Sequence, residues 1–181
     1  MKSIGLESER LIYKRLDTSF VSKEYVDWMN DDVVNAYLES GGNYTIEKLE
    51  AYLKEVEKSD ILFWAIVTKD SQKHIGNIKI DPINLRNRVG EYGILIGDKL
   101  AWGGGYAKEA SKRIIKYCFS EEVNLRKITL GVVADNEAAV NLYKRIGFHI
   151  EGTYKLHSYH KGKWCDVFRM AKFNPNLHYD S

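Results

Sequence analysis

Hydrophobic and polar positions change period several times along the chain, and each change predicts an element. Arg10 to Leu16 reads as a first strand, followed by two short helical patterns at Ser22 to Asn30 and Asp31 to Leu38. A clearer helix runs from Ile46 to Lys58, with Thr45 as its N-cap and Glu47 and Glu50 early, where the helix dipole favours anions. Ile61 to Thr68 is apolar on both faces. His74 to Asp81 alternates around Gly76, Ile78 and Ile80, and Glu91 to Gly97 alternates around Tyr92, Ile94 and Ile96. These predict three neighbouring strands, joined by a polar turn at Lys69 to Lys73 and a longer basic loop at Pro82 to Arg88, and such short links imply antiparallel hairpins.

The period then becomes helical, with Ala107, Ala110, Ser111, Ile114 and Cys118 on one stripe up to about Glu121. Lys127 to Val133 follows as a strand with apolar residues on both faces, so strand, helix and buried strand predict a parallel crossover. Asn136 to Ile146 is a second helix, closed by Gly147 as C-cap. Two last strands, Phe148 to Tyr159 and Lys163 to Phe173, are joined by His160-Lys161-Gly162, and the tail after Pro175 reads as frayed. The fold class is α/β, with mixed strands around one sheet.

Composition narrows the class. With 181 residues, 44% hydrophobic, 29% charged and two prolines, the chain fits one soluble globular domain. Nothing reads as a linker or repeat, so the expectation is a single domain over 1–181, its core about 10–173 and its tail 174–181. Lys plus Arg at 27 against Asp plus Glu at 25 leaves +2, which argues against a dedicated nucleic-acid or membrane-surface protein. The first ten residues turn acidic before any apolar run forms, and the longest apolar stretch, Ile61 to Val67, is far short of the roughly 20 residues a membrane helix needs. A cytoplasmic protein is expected, with Cys118 and Cys165 as reduced packing residues.

Trp102-Gly103-Gly104-Gly105-Tyr106-Ala107 lies between a strand and the start of a helix. Glycines there let a ligand approach backbone amides at the positive end of the helix, an arrangement suited to phosphate, with Lys99 and Lys108 near in sequence. A plain flexible turn explains the glycines equally well. No Gly-Lys-Ser/Thr follows, and lysine holds position 108 where a dinucleotide fingerprint needs its third glycine.

Asn136-Glu137-Ala138-Ala139-Val140-Asn141-Leu142-Tyr143-Lys144-Arg145-Ile146-Gly147-Phe148, with Ile94-Leu95-Ile96-Gly97-Asp98 before the glycines, strongly resembles the GNAT superfamily of acetyl-CoA-dependent N-acetyltransferases, in its ribosomal-protein and spermidine acetyltransferase-like branch. The resemblance covers roughly residues 10 to 173. It implies a mostly antiparallel mixed sheet, splayed at a central parallel pair and flanked by helices. The family loop, Arg/Gln-x-x-Gly-x-Gly/Ala, binds the coenzyme A pyrophosphate through its backbone; Gly105 and Ala107 match, and Trp102 stands at the Arg/Gln position. The resemblance implies cofactor contacts from Ile94, Leu95 and Ile96, from Trp102, Gly103, Gly104, Gly105, Tyr106, Ala107 and Lys108, and from Asn136, Asn141 and Lys144. The strand Tyr92 to Ile96 would pair with the pantetheine arm where it splays from Lys127 to Val133. Asn136 is equally well placed as a helix N-cap.

Tyr143 matches the family tyrosine near the thioester sulfur, where a phenol can protonate the departing thiolate; its spacing alone, on a stripe with Ala139 and Ile146, reads as a core aromatic. The attacking amine must lose a proton, and Glu91, on the same face as Gly93 and Leu95, is the candidate acceptor, with a plain ion pair to Arg88 as the competing reading. His157, Tyr159, His160, Cys165 and Asp166 cluster on the last hairpin without the spacing of a zinc site, so no metal is expected. His157 and Asp166 match positions of the branch that face substrate or lock the hairpin.

Trp28 and Tyr37, with Asp27, Asp31, Asp32 and Glu39, form an acidic and aromatic wall suited to a cationic amine, although a solvated helix face explains the charges too. The expectation is acetyl transfer from acetyl-CoA to a small amine such as a polyamine by direct attack, with Glu91 and Tyr143 handling protons and Trp28, Tyr37, Glu91 and His157 on the substrate side. A protein N-terminus or a nucleotide-linked amino sugar is the alternative acceptor, and an acyl-CoA-binding sensor the alternative without catalysis. A homodimer is compatible with this reading.

Overall fold

The structure, a computed structural model, describes residues 3–38 and 42–177. Its elements are β1 (Leu6–Glu7), β2 (Leu11–Arg15), α1 (Lys23–Asn30), α2 (Ile46–Lys58), β3 (Leu62–Thr68), β4 (His74–Asn84), β5 (Val89–Ile96), α3 (Tyr106–Cys118), β6 (Lys127–Val133), α4 (Glu137–Arg145), β7 (His149–His160) and β8 (Lys163–Phe173). The strands follow the order β1-β2-β3-β4-β5-β6-β8-β7, antiparallel except for β5 beside β6. The chain divides into two compact units, Met1–Asp81 with Gly93–Ala110, and Pro82–Tyr92 with Ser111–Ser181.

In the first unit, β3 is buried along its whole length, as its two apolar faces require. Phe63, Ala65 and Val67 meet Tyr25, Val26 and Met29 of α1 and Leu49, Leu53 and Val56 of α2 in one cluster. Both helices start at side-chain caps: Ser22 accepts from the Tyr25 N–H and Thr45 from the Lys48 N–H. A helix over Asp31 to Leu38 does not form. The Asp31 carboxylate accepts from the N–H groups of Val33 and Val34 at 2.9 and 3.2 Å, and Asn35 donates its side-chain amide to the Met29 carbonyl. These local bonds offer the backbone turns in place of a helix. The two-residue β1, which no hydrophobic run announces, is fixed by pairing Leu6 with Tyr13.

In the second unit the parallel β5 and β6 register at Val89–Lys127, Gly90–Ile128 and Glu91–Thr129, and the registered pairs end there. The expected long loop at Pro82 to Arg88 is shorter, because β4 runs on through Pro82 to Asn84, near the strand end where a missing N–H is tolerated. The Asn84 side chain then accepts from the Asn87 N–H and starts the turn. α3 stops at Cys118, short of Glu121, where Ser120 turns its hydroxyl and N–H back on the Tyr117 carbonyl. α4 ends with Gly147 at φ +94°, the Phe148 N–H on the Tyr143 carbonyl and the Gly147 N–H on the Lys144 carbonyl. That is the glycine-dependent termination expected from sequence. Lys161 and Gly162, both at positive φ, make the two-residue turn between β7 and β8. Of the expected frayed tail, residues 178–181 lie outside the described residues.

Cys118 and Cys165 are both free and buried, and burial pushes both thiols up, with the neighbouring Asp135 carboxylate adding to the rise at Cys165. Among the described residues, no helix is long and apolar enough to cross a membrane.

Candidate active site

The glycine loop of the first unit follows β5 through a 3-10 turn at Lys99–Ala101, capped by the Asp98 side chain on the Leu100 N–H. Gly103 and Gly105 have φ of +76° and +79°, which a side chain adopts only under strain. The space they leave is open: a Cβ at Gly103 would meet nothing within 4 Å, and one at Gly105 only the Arg10 guanidinium at 3.6 Å. α3 begins at the next residue, Tyr106. An exposed, left-handed loop running into a helix start is the geometry that presents backbone donors to an anion.

Arg10 holds this loop, and sequence pattern did not single it out. It donates from Nη1 to the Gly104 carbonyl at 2.9 Å and from Nε to Glu109 at 2.8 Å, while its guanidinium lies 4.4 Å over the Tyr106 ring. Glu109 also accepts from the Ser8 hydroxyl and the Arg10 N–H. Burial raises the Glu109 pKa, but these hydrogen bonds outweigh it and keep the carboxyl below its ordinary range.

Trp102 is half exposed, and its indole N–H donates to the Ile96 carbonyl at 2.8 Å, so the residue at the family's Arg/Gln position ties the loop to the end of β5. Ile94, Leu95 and Ile96 are half-buried. Gly97 is required by packing, because a Cβ there would lie 2.1 Å from the Trp28 ring. Trp28 is buried and meets His74 edge-on at 5.0 Å, so it is a core residue, with one edge on a cavity.

That cavity, about 290 Å³, is bordered by Asp27, Trp28, Asp31, Val34 and Gly97. Its carboxylates have partners: Asp27 takes Lys23 at 2.7 Å, and Asp31 takes Lys99, whose hydrogen bond holds the Asp31 carboxyl below its ordinary range. Lys99 is therefore turned toward Asp31, and the acidic wall is partly neutralised from within. Tyr37 and Asp32 are exposed, Lys108 is exposed beside the loop, and Glu39 lies outside the described residues.

In the second unit Glu91 sits at the last registered β5–β6 pair. Its carboxylate receives Arg169 bidentately, both bonds 2.7 Å, and the Thr129 hydroxyl at 2.6 Å. The ion-pair partner is thus Arg169; the Arg88 guanidinium goes to Asn124 instead. Burial raises the Glu91 pKa, but the Arg169 and Thr129 hydrogen bonds outweigh that and hold the group ionised below the ordinary carboxylate range.

Tyr143, on the buried face of α4, meets Tyr92 edge-on at 5.8 Å and Phe148 at 5.9 Å. Its ring is core packing, as spacing alone reads. Its hydroxyl has no hydrogen-bond partner among the described residues, and burial pushes its pKa up to about 12. Tyr92, by contrast, shares a 2.7 Å hydrogen bond with Ser111. Asn136 caps α4 by accepting from the Ala139 N–H at 3.2 Å, while Asn141 and Lys144 are exposed on the same helix. On the final hairpin Asp166 accepts from Lys155 and from the Leu156 N–H, and so locks the hairpin; the His157 ring lies 5.0 Å from that of Tyr154. Among the described residues no group of three or more His, Cys, Asp or Glu could hold a metal ion.

The strand order, the glycine loop feeding a helix and the tyrosine on the helix after the parallel strand are what the sequence resemblance implies. The family model described as Acetyltransferase (GNAT) domain matches residues 10–149, and the chain belongs to that family of acetyl-CoA-dependent N-acetyltransferases. It is 27% identical over 169 residues to the uncharacterized N-acetyltransferase YoaA of Bacillus subtilis, covering 90% of this chain and 92% of that one. It is 29% identical over 145 residues to the spermidine N(1)-acetyltransferase of Escherichia coli K12, covering 80% of this chain and 75% of that one. Among solved structures it is similar to spermidine N-acetyltransferase from Vibrio cholerae in complex with CoA and spermine, with a TM-score of 0.82, 25% identity and 92% and 97% of the two chains covered.

Proposed function

We propose that this N-acetyltransferase acts on a small amine, with a polyamine-like cation as the leading acceptor class. The observation that carries the cofactor half is the loop at Gly103 to Gly105, open, left-handed and leading into α3. Its amides would take the pyrophosphate of acetyl-CoA and Lys108 would add charge, while Arg10 and Trp102 hold the loop's shape. On the resemblance, the backbone of Ile94 to Ile96 would pair with the pantetheine arm, and Asn136, Asn141 and Lys144 are further candidate cofactor contacts. Acetyl-CoA brings the thioester. The chain's own groups bind it, orient it and move two protons: Glu91 takes one from the attacking amine, directly or through water, and Tyr143 gives one to the departing sulfur.

The acceptor class is supported by the spermidine acetyltransferases to which the chain is similar. Pairing of Asp27 and Asp31 with lysines favours a second reading, an acceptor of lower charge such as an amino sugar or a protein N-terminus. The test is release of free thiol from acetyl-CoA with spermidine, a nucleotide-linked amino sugar and an N-terminal peptide, each at low and high salt. A polyamine site predicts the largest kcat/KM for spermidine and a fall as salt screens the site. Activity confined to the sugar or peptide would replace the acceptor and keep the acetyl transfer.

Glu91→Gln is expected to reduce kcat about 10²-fold at pH 7 and less toward pH 10. The carboxylate, with its lowered pKa, is ionised throughout that range, whereas an alkylammonium of pKa about 10 supplies more free base as pH rises. A pH–rate profile of both proteins checks it. A loss by one factor at every pH would assign Glu91 to holding Arg169 and the β5–β6 end.

A further inference from the structure

We propose that the second unit carries a separate anion site, a cleft ringed by Lys112, Lys116, Arg145 and Lys172, that takes a small molecule bearing two or more phosphates. The cleft encloses about 360 Å³ and is floored by Ile115 and Phe119. The proposal does not depend on the acetyl-transfer reading.

In this unit Lys127 pairs with Glu151 and Lys163 with Asp135 at 2.6 Å, Lys155 with Asp166 at 2.8 Å, and Arg169 with Glu91. Among the described residues, none of the four cleft cations has a carboxylate partner. Four positive charges in one cleft exceed the net +2 of the whole chain. Lys112 and Lys116 stand one turn apart on α3, a like-charge spacing that destabilises a helix unless something answers it.

Helix dipoles explain part of the arrangement, since Lys116 and Arg145 fall in the last turns of α3 and α4. They also account for Lys172, which meets the end of α4, and leave Lys112, in the middle of α3, without that role. Lys172 is half-buried and donates its ammonium to the Ile146 carbonyl, close enough to Gly147 that a Cβ there would lie 2.8 Å from Nζ. It is thus held against the end of α4 rather than left in solvent. Burial lowers its pKa and the Lys112 charge lowers it further. A multiply charged phosphate would relieve that repulsion and take hydrogen bonds from several donors at once. The volume lies within the range of small-molecule sites, and the apolar floor suits the non-phosphate part of such a ligand.

Titration calorimetry with inorganic pyrophosphate, at matched ionic strength, tests the site on the intact protein and on Lys112→Ala/Lys116→Ala. Alanine is the best helix former, so this variant keeps α3. The intact protein is expected to bind one more equivalent than the double variant, or to bind at least tenfold tighter at that site, while kcat for acetyl transfer is the same in both. Gly105→Asp, which alters the other candidate phosphate site, is expected to retain this binding. Equal stoichiometry and affinity in the intact protein and the double variant would overturn the proposal, as would binding no tighter than that of sulfate or complete loss in Gly105→Asp.

Discussion

Gly105→Asp is expected to weaken acetyl-CoA binding at least 10²-fold while the protein stays folded. Position 105 has φ +79° and faces open space with only the Arg10 guanidinium near, so the new side chain fits sterically and projects a negative charge where the pyrophosphate would lie. Two unit charges 4 Å apart repel by about 4 kcal/mol at the effective dielectric of a protein surface, which is roughly three orders of magnitude in affinity before screening. Asp is among the residues that tolerate the left-handed region, so the backbone cost is modest. Gly105→Asn is the control of equal size and conformation without charge, and should lose far less. Calorimetry gives both affinities and a thermal melt checks the fold. Equal losses in the two variants would mean that shape at this position, not phosphate charge, governs binding.

The parts of the site that were legible in sequence are those carried by adjacent residues. The glycine loop, the α4 motif and its closing Gly147 each put their chemistry and their conformational reason into one short stretch, and helix boundaries at Thr45 and Asn136 are visible as caps for the same reason. What sequence could not supply were the long-range partners. Arg10 grips the loop across 94 residues and Arg169 takes Glu91 across 78, and neither lies in a motif of its own. Arg88 is the nearer cation to Glu91 along the chain; strand pairing of β8 with β6 decides otherwise, bringing Arg169 opposite Gly131, where a Cβ would come within 2.9 Å of the guanidinium. The misread helix at Asp31 to Leu38 has a different cause. Its apolar spacing is helical, but Asp31 and Asn35 spend their side chains on nearby backbone groups, and such short bonds win where no long helix is available to offset them.

Tyr143→Phe is expected to lower kcat about 10²-fold with acetyl-CoA affinity and stability nearly unchanged. The ring contacts to Tyr92 and Phe148 survive the substitution, and the lost hydroxyl has no hydrogen-bond partner among the described residues, so its removal leaves no donor or acceptor stranded in the core. A phenol held at about 12 by burial is almost wholly protonated at pH 8, which is the state a proton donor to sulfur needs. The same shift makes it a weaker acid than a free tyrosine, and acid assistance falls as the acid weakens, which places the expected loss at the low end of the roughly 10²–10⁴-fold that general catalysis supplies. The sign of the pH dependence follows: ionisation of Tyr143 sets no limb in kcat below about pH 10, and any alkaline fall there must come from another group. Steady-state kinetics over pH 6 to 10, read beside a urea melt, separate the two readings. A variant that keeps its turnover but melts earlier would return Tyr143 to the core and require another donor for the thiolate.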